Sequence, residues 1–187
     1  MNRSLAALPL LVLSAALAAC SKGAPDGAPA TAGAPVAPSA WSLPSEPAGA
    51  VSVVDAQKAA PKDEVVVVGR VRMFVGGLAA FTMVDTSVAY CGDPKASKDQ
   101  KEMEAVCETP WDYCCHEQEA ADKQIAVVVP GVGSSAAKGS IPELRNLDLV
   151  VVKGRLMKDK AGNVELAATG WYLKDRPVIP ASVKFPQ

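Results

Sequence analysis

A nine-residue pattern occurs twice in the chain and limits what it can fold into. Residues 63–71 read Asp-Glu-Val-Val-Val-Val-Gly-Arg-Val, and residues 148–156 read Asp-Leu-Val-Val-Val-Lys-Gly-Arg-Leu. Runs of valine favour extended backbone, because valine loses side-chain freedom in a helix and packs well on a pleated sheet. The glycine in each copy is typical of a strand that bends sharply or lies close to another backbone. The repeat therefore predicts two long, bent strands that frame a small closed β-barrel.

Shorter apolar runs complete a set of five predicted strands. Strands are expected where β-branched or aromatic residues alternate with polar ones between turn-forming clusters. The runs that meet this criterion are residues 64–75, 79–84, 124–129, 149–157 and 164–173. Gly76-Gly77 turns the chain between the first two strands. Residues 141–146, with Pro142 in the first turn, are predicted to form a short helix between the third and fourth strands.

Alternation along the first predicted strand separates a core face from an outer face. Every second position from Val65 to Val75 is apolar or glycine, so these residues are expected to face the core. The opposite faces of the first and fourth strands carry charge and one aromatic ring. A ligand on this outer face would meet Arg70, Arg72, Phe74, Lys153 and Arg155.

The order of these elements resembles the OB-fold, a five-stranded Greek-key barrel. The segments Val-Gly-Arg-Val … Ala-Ala-Phe-Thr-Met-Val-Asp (68–85) and Val-Lys-Gly-Arg-Leu … Leu-Ala-Ala-Thr-Gly (152–170) are similar to hairpins of OB domains of the nucleic-acid-binding or tRNA-anticodon type. The arrangement also resembles lipid-anchored OB proteins of planctomycete-type bacteria with the same cysteine-rich loop. The resemblance implies an all-β barrel over residues 51–175, with a Cys-rich insertion at 86–123 between strands two and three. A β-sandwich is the alternative.

The N-terminus resembles a bacterial lipoprotein signal. Arg3 precedes an apolar run that is too short to span a bilayer and fits a signal peptide over residues 1–19. The run ends in Leu-Ala-Ala-Cys, which is similar to the lipobox. The resemblance implies a diacylglycerol on Cys20, usually joined by an N-acyl chain such as palmitate, and Ser21 after it favours the outer membrane. An extracytoplasmic domain on a lipid anchor follows, in a compartment that permits disulfides.

Residues 20–50 are predicted to be a disordered linker. Residues 21–50 contain nine Ala, six Pro and four Gly and show no apolar periodicity, so there is little to bury against the entropy of ordering the chain. Trp41 and Leu43 are the apolar residues expected to dock on the edge of the domain. Residues 176–187, where Pro177 and Pro180 interrupt the pattern, are expected to form a loose tail.

Four cysteines in the insertion form the least generic feature of the chain. Two disulfides are expected, in which Cys91 and Cys107 each bond one of the vicinal pair Cys114-Cys115, in an order that the spacing leaves open. A bridge within the vicinal pair itself would be strained. Trp111 and Tyr113 are expected to cover the bridges as a small local core.

Metal binding and redox exchange are the alternatives for the same loop. The four thiols with His116 would suit Zn or Cu(I), although the spacing matches no standard zinc pattern. The vicinal thiols would also suit disulfide exchange, although no Cys-x-x-Cys is present. The simplest expectation remains a structural loop without a cofactor.

The function predicted from these features is a membrane-anchored binding or structural module that contacts an envelope protein or a glycan. A net charge of −1 and 5% aromatic residues argue against nucleic acid, which remains an alternative because of the fold resemblance. The sequence contains no phosphate-binding loop and no Gly-x-Ser-x-Gly motif, and it has one histidine. We therefore expect no catalytic residues.

Overall fold

The computed structural model describes residues 40–93, 112–130, 141 and 143–178. The strands within these ranges are β1 (Val51–Ser52), β2 (Lys62–Phe74), β3 (Ala80–Val84), β4 (Gln124–Val128), β5 (Leu149–Lys158) and β6 (Val164–Asp175). The helices are α1 (Val53–Lys58), a 3₁₀ turn (Cys114–His116) and α2 (Glu117–Asp122). The five long strands match the five predicted ones.

Strands β2 to β6 form a closed five-stranded barrel. Their order is β2-β3-β4-β6-β5, and β5 pairs back onto β2 to close the sheet. All neighbours are antiparallel except β4 and β6, which run parallel. This is the mixed Greek-key barrel of the OB-fold. The predicted fold class is confirmed, and a single closed sheet rules out the alternative β-sandwich.

The two copies of the repeat lie side by side in the barrel wall. Val67 pairs with Val152 at the centre, Val65 pairs with Gly154, and Gly69 pairs with Val150. The third position of each copy thus faces the seventh position of the other, so the two copies are related by a local two-fold axis. Each glycine allows the close approach that the sequence predicted. A Cβ on Gly154 would lie 2.3 Å from the carbonyl oxygen of Ala167, and one on Gly69 would lie 2.6 Å from Cγ of Met83.

The barrel interior is filled by apolar side chains and closed at one end by α1. Ser52 caps this helix by accepting the N–H of Asp55 at 3.0 Å, and the helix buries Val53 and Ala56 against the barrel core. The largest fully buried side chains of the core come from strands: Trp171, Phe81, Met83, Ile125, Leu156 and Leu166.

A β-bulge near the end of β2 changes the predicted alternation. The pairing with β3 shifts between Val71, opposite Met83, and Met73, opposite Thr82. An extra residue on one strand moves all later side chains to the other face. Phe74 therefore lies opposite the buried Phe81, with ring centroids 6.0 Å apart, and Met73 is exposed. The predictions that Phe74 lies on the outer face and Met73 in the core are wrong for this reason.

The segment before β5 contains turns where a helix was expected. Ile141 and residues 143–148 adopt turn or irregular backbone, and Pro142 lies outside the described residues. The Asp148 carboxylate accepts the N–H of Arg145 at 2.7 Å, and Leu147 has a φ of 69°. This side-chain bond competes with a helical hydrogen bond and favours a turn. The short helices of the described residues lie before β2 and before β4.

Residues 41–43 form a strap along the second half of β6. Leu43 donates its N–H to the carbonyl of Trp171 at 2.7 Å, and Trp171 donates to the carbonyl of Trp41 at 2.8 Å. The two indole rings stack with centroids 6.3 Å apart. Trp41 and Leu43 therefore dock on the barrel as expected. The last part of the predicted linker belongs to the folded domain.

Several predictions concern residues outside the described ranges. These include the signal peptide, Cys20 with Ser21, the linker up to residue 39, Cys107, Trp111 and the tail from residue 179. Across the described ranges, no helix has the length and apolar character needed to cross a membrane.

Candidate metal-binding thiol cluster

A small cap, formed by residues 85–93 and 112–123, covers the outer face of the barrel. Val84 lies opposite Arg70 in the sheet, so both side chains point outwards. The cap buries this part of the wall in a second apolar cluster, separate from the barrel core. Its members are Val84, Val88, Tyr90, Tyr113, Ala120 and Leu147. Tyr113 is buried in a local core as expected, although no bridge for it to cover is formed among the described cysteines.

Asp85 joins the cap to the barrel. Its carboxylate accepts the N–H of Val54 at 3.0 Å and the N–H of Ser87 at 2.9 Å, while its own N–H donates to the carbonyl of Lys123 at 2.9 Å. Burial works to raise the pKa of Asp85. The hydrogen bonds from Val54 and Ser87 and the nearby Lys123 ammonium outweigh it and hold the pKa below its usual value. Asp85 thus fixes both ends of the described cap, holding Ser87 with its carboxylate and Lys123 with its backbone N–H.

Asp112 holds two cysteines of the cap in place. Its carbonyl accepts the N–H of Cys91 at 2.7 Å, and its carboxylate accepts the N–H of Cys114 at 2.8 Å. Cys115 follows in the same 3₁₀ turn. One residue therefore brings a loop cysteine and the vicinal pair together from opposite ends of the insertion.

The sulfur atoms of Cys91, Cys114 and Cys115 lie close together. The Sγ of Cys114 lies 3.6 Å from that of Cys91 and 3.8 Å from that of Cys115, and all three lie within 4.8 Å of one another. A disulfide bond measures about 2.05 Å. The expected bridge from Cys91 to one of the vicinal pair is therefore not formed, since the sulfurs lie beyond bonding distance. A second bridge would involve Cys107, which lies outside the described residues.

These separations fit sulfur ligands around one metal ion. A tetrahedral Zn²⁺ with Zn–S bonds of about 2.3 Å places its sulfurs about 3.8 Å apart, which is 1.63 times the bond length. Two of the three observed separations are close to this value. The donor set is soft, as zinc and Cu(I) prefer. The cluster is therefore a candidate metal site.

The cluster reaches from the protein interior to solvent. Cys91 is fully buried, Cys115 is half-buried and Cys114 is exposed. Burial raises the pKa of the Cys91 thiol, and hydrogen bonding with Cys115 and Cys114 raises it further. An arriving cation would enter past Cys114 and displace thiol protons as it binds.

His116 lies beside the cluster but not in it. Its Nδ1 is 3.7 Å from a carboxylate oxygen of Glu119, one turn further along the cap. Its Nε2 is buried and has no hydrogen-bond partner within the described ranges. The ligand atoms that lie within 4.8 Å of one another are the three cysteine sulfurs alone, as far as the structure describes the chain. The predicted imidazole ligand is therefore not part of the described cluster.

The residues predicted to form one ligand face contact different parts of the protein instead. Arg70 donates to the carbonyl of Leu147 at 3.0 Å and lies 5.1 Å from the ring centroid of Tyr90. Arg72 donates to the side chain of Gln124 at 3.0 Å. Arg70 thus supports the cap and Arg72 contacts β4, so neither guanidinium is held ready for a ligand.

The two cations of β5 form ion pairs near its other end. Lys153 lies 3.0 Å from Glu64, and Arg155 lies 3.2 Å from Asp63. Phe74 faces the barrel interior side. The structure therefore does not bring the five predicted residues together in one site.

Sequence reasoning missed the buried ion pair that holds the end of β6. Asp148 is fully buried, and its carboxylate accepts hydrogen bonds from Nε and Nη2 of Arg176 at 2.7 and 2.6 Å. Asp63 holds the same position in the other copy of the repeat, yet its side chain is almost fully exposed. No local sequence signal separates the two aspartates, because their difference arises from the arginine that follows β6.

Comparisons with known proteins give no family for the chain. No protein-family model matches it, and no curated protein does. A solved structure that matches is an aspartyl tRNA synthetase from Entamoeba histolytica, with 11% sequence identity and a TM-score of 0.38. The match covers 73% of this chain and 25% of that one, so the chain spans about a quarter of its length. The fold assignment rests on strand order and direction.

Proposed function

We propose that the protein is a lipid-anchored OB-barrel of the cell envelope that binds one soft or borderline metal ion in its cap. Cys91, Cys114 and Cys115 would supply the thiolate ligands. The observation that supports this proposal is the convergence of their sulfurs, two of them at 3.6 and 3.8 Å from the third. The proposed role is binding, with the barrel as scaffold and no catalytic group assigned.

The donor set favours Zn²⁺ or Cu(I) over harder cations. Calcium and magnesium take oxygen ligands, whereas thiolates select zinc and Cu(I). Three protein sulfurs leave one position of a tetrahedron to be filled. Cys107 belongs to the same insertion and is the candidate for it; water would serve otherwise.

The proposed location rests on the first twenty residues. The Leu-Ala-Ala-Cys sequence and the Ala/Pro/Gly-rich segment after it support lipidation of Cys20, and Ser21 supports an outer-membrane address. Intact mass of protein from the membrane fraction tests this part by itself. Parent protein from the membrane fraction whose intact mass showed no diacylglycerol on Cys20 would contradict it.

Nucleic acid is not the ligand that the geometry favours. Arg70 and Arg72 contact groups of the protein, and Lys153 and Arg155 lie beside carboxylates. The ring beside Arg70 is that of Tyr90, which is buried under the cap and not open to a base. The support for a polyanion site on the barrel wall is therefore removed.

The metal proposal is tested with the chain from Ser21 onwards. The barrel, its core and the described cap lie within residues 40–178, so this chain retains the whole fold. Purified under reducing conditions and titrated with Zn²⁺ or Co²⁺, it is expected to bind one ion per chain, with a thiolate-to-metal absorption band for Co²⁺. Cys91→Ser is expected to lose at least tenfold in affinity, since one of three thiolates is removed.

A matched control and a contradicting result are available. His116→Ala is expected to keep the affinity within threefold, because the imidazole lies outside the cluster. Protein made in an oxidising compartment that is four hydrogens light, resists alkylation and holds no metal would overturn the proposal in favour of disulfides.

A further inference from the structure

The turn between β2 and β3 presents an apolar tip. Its residues 73–78 read Met-Phe-Val-Gly-Gly-Leu, and no charged residue occurs from Met73 to Val84. The exposed fractions are 55% for Met73, 36% for Phe74, 37% for Val75 and 49% for Leu78. Met73 lies on the outer face and Phe74 on the interior face at the end of the barrel, so the turn exposes apolar side chains on both faces. Clustered exposed apolar side chains of this kind mark interaction sites.

Hydrogen bonds and a ring contact order the hairpin tip. Val75 donates its N–H to the carbonyl of Ala80 at 2.9 Å, and Leu78 donates to the carbonyl of Val75 at 3.1 Å. Gly77 has a φ of 79°, which a side chain would oppose, and the ring of Phe74 rests on Phe81. These bonds satisfy polar groups of the turn before any partner is met. The tip can therefore enter an apolar medium at a reduced cost in unsatisfied hydrogen bonds.

The β-bulge of β2 gives the tip its exposed side chains. Without the register shift between Val71 and Met73, simple alternation would direct Met73 into the barrel. With it, Met73 is the most exposed of the four residues. Bulges of this kind commonly re-aim side chains at functional edges.

We propose that the hairpin tip inserts into the outer part of a lipid bilayer and orients the barrel on the membrane. This inference rests on the proposed anchor at Cys20. Nineteen residues, 21–39, separate Cys20 from the described part of the chain and span at most about 65 Å. A bilayer is therefore always within reach of the barrel surface, and its effective concentration at the tip is high.

The chemistry of the tip favours lipid over a protein partner or a second copy. The exposed apolar side chains belong to one six-residue segment, 73–78, whereas a stable protein interface needs a broad patch with a polar rim. The tip carries no charge, and the chain has a net charge of −1, so attraction to anionic lipid plays no part. Insertion would be driven by the apolar side chains, at the boundary between headgroups and acyl chains.

The test uses the chain from Ser21 onwards, which lacks Cys20 and its lipid, and zwitterionic phosphatidylcholine vesicles. The protein is expected to co-sediment with vesicles equally at low and high salt, because the contact is apolar. Leu78→Asp is expected to lower the partition coefficient at least tenfold. Val178→Asp, the same kind of change at an exposed site outside the hairpin, is expected to alter it less than twofold.

A second readout locates the contact. Tryptophan placed at position 78 (Leu78→Trp) is expected to be quenched by lipid with a nitroxide in its upper acyl chain, whereas Val178→Trp is not. Because the Leu78 side chain is half exposed, the Leu78→Asp variant should fold. An unchanged circular dichroism spectrum would verify this.

Three results would overturn the inference. The first is that the parent chain does not bind vesicles, and the second is that both aspartate variants lose the same factor in partition coefficient. The third is a concentration-dependent dimer that Leu78→Asp dissociates, in a protein that does not bind vesicles. Cys91→Ser should bind vesicles like the parent, and the lipid on Cys20 is absent throughout. Failure of the tip is thereby distinguished from failure of the metal site or of the anchor.

Discussion

Replacing Gly154 by alanine is expected to lower the free energy of unfolding by about 3 kcal/mol. The new Cβ would lie 2.3 Å from the carbonyl oxygen and 2.9 Å from the carbonyl carbon of Ala167, both backbone atoms of β6. Real Cβ atoms essentially never come closer than 3.0 Å, so the strands would have to part by roughly 0.7 Å, the difference between 3.0 and 2.3. β5 and β6 pair from Leu149 to Lys158, with register shifts after Leu149 and after Lys153, and the pairs on both sides of Gly154 resist such a shift. Overpacking usually costs about 1–3 kcal/mol, and a backbone obstacle places this change at the upper end.

Urea unfolding followed by circular dichroism measures this change in the chain from Ser21 onwards. The midpoint of thermal unfolding should fall by roughly 10 °C for a domain of this size. Gly76→Ala is the matched control, since a Cβ there meets nothing within 4 Å, and its stability should stay within about 0.5 kcal/mol of the parent. If Gly154→Ala were as stable as Gly76→Ala, the glycine of the repeat would not serve close strand approach.

Two further changes test the attachments of the barrel. Because Val54 and Ser87 hold the pKa of Asp85 below its usual value despite burial, this carboxylate stabilises the fold above its unfolded pKa of about 3.9 and ceases to do so as the pH falls through the folded value. Urea unfolding at pH 5 and pH 3 should therefore show that the free energy of unfolding falls less between these pH values for Asp85→Asn than for the parent. An equal fall in both proteins would contradict this. Trp41→Ala removes the ring that covers Trp171 and should cost about 2 kcal/mol with a red shift in tryptophan emission, whereas Trp41→Phe should keep most of the stability.

The barrel was predictable because its signals are local. Runs of valine around Val67 and Val152 specify strands through side-chain shape, and the glycines mark the close contacts that the structure shows. The docking of Trp41 followed from an apolar residue in a segment that otherwise has nothing to bury. Each of these inferences needed only the residue and its chain neighbours.

The remaining features depend on residues distant in the chain. The bulge that redirects Phe74 is fixed by the pairing of β2 with β3, and no glycine or proline announces it. The turn before β5 follows from the carboxylate of Asp148, whose burial needs Arg176.

The candidate site likewise combines features that the local sequence predicts with features that depend on distant residues. The sequence supplied the cysteines and the choice between disulfides and metal. The arrangement of their sulfurs depends on Asp112, which bonds Cys91 and Cys114 across the insertion. Nothing in the spacing of the cysteines reports that contact.

The local two-fold axis between β2 and β5 bears on how molecules can exchange strands. The third position of each copy faces the seventh of the other, about Val67 and Val152. A β5 strand supplied by a second molecule would therefore form the same hydrogen bonds and bury the same valines as the strand of the same chain. Loop closure of the intervening 76 residues, 72–147, favours the chain's own strand when protein is dilute. At high concentration the two sources compete on equal terms, which makes this pair of strands the point where domain swapping would begin.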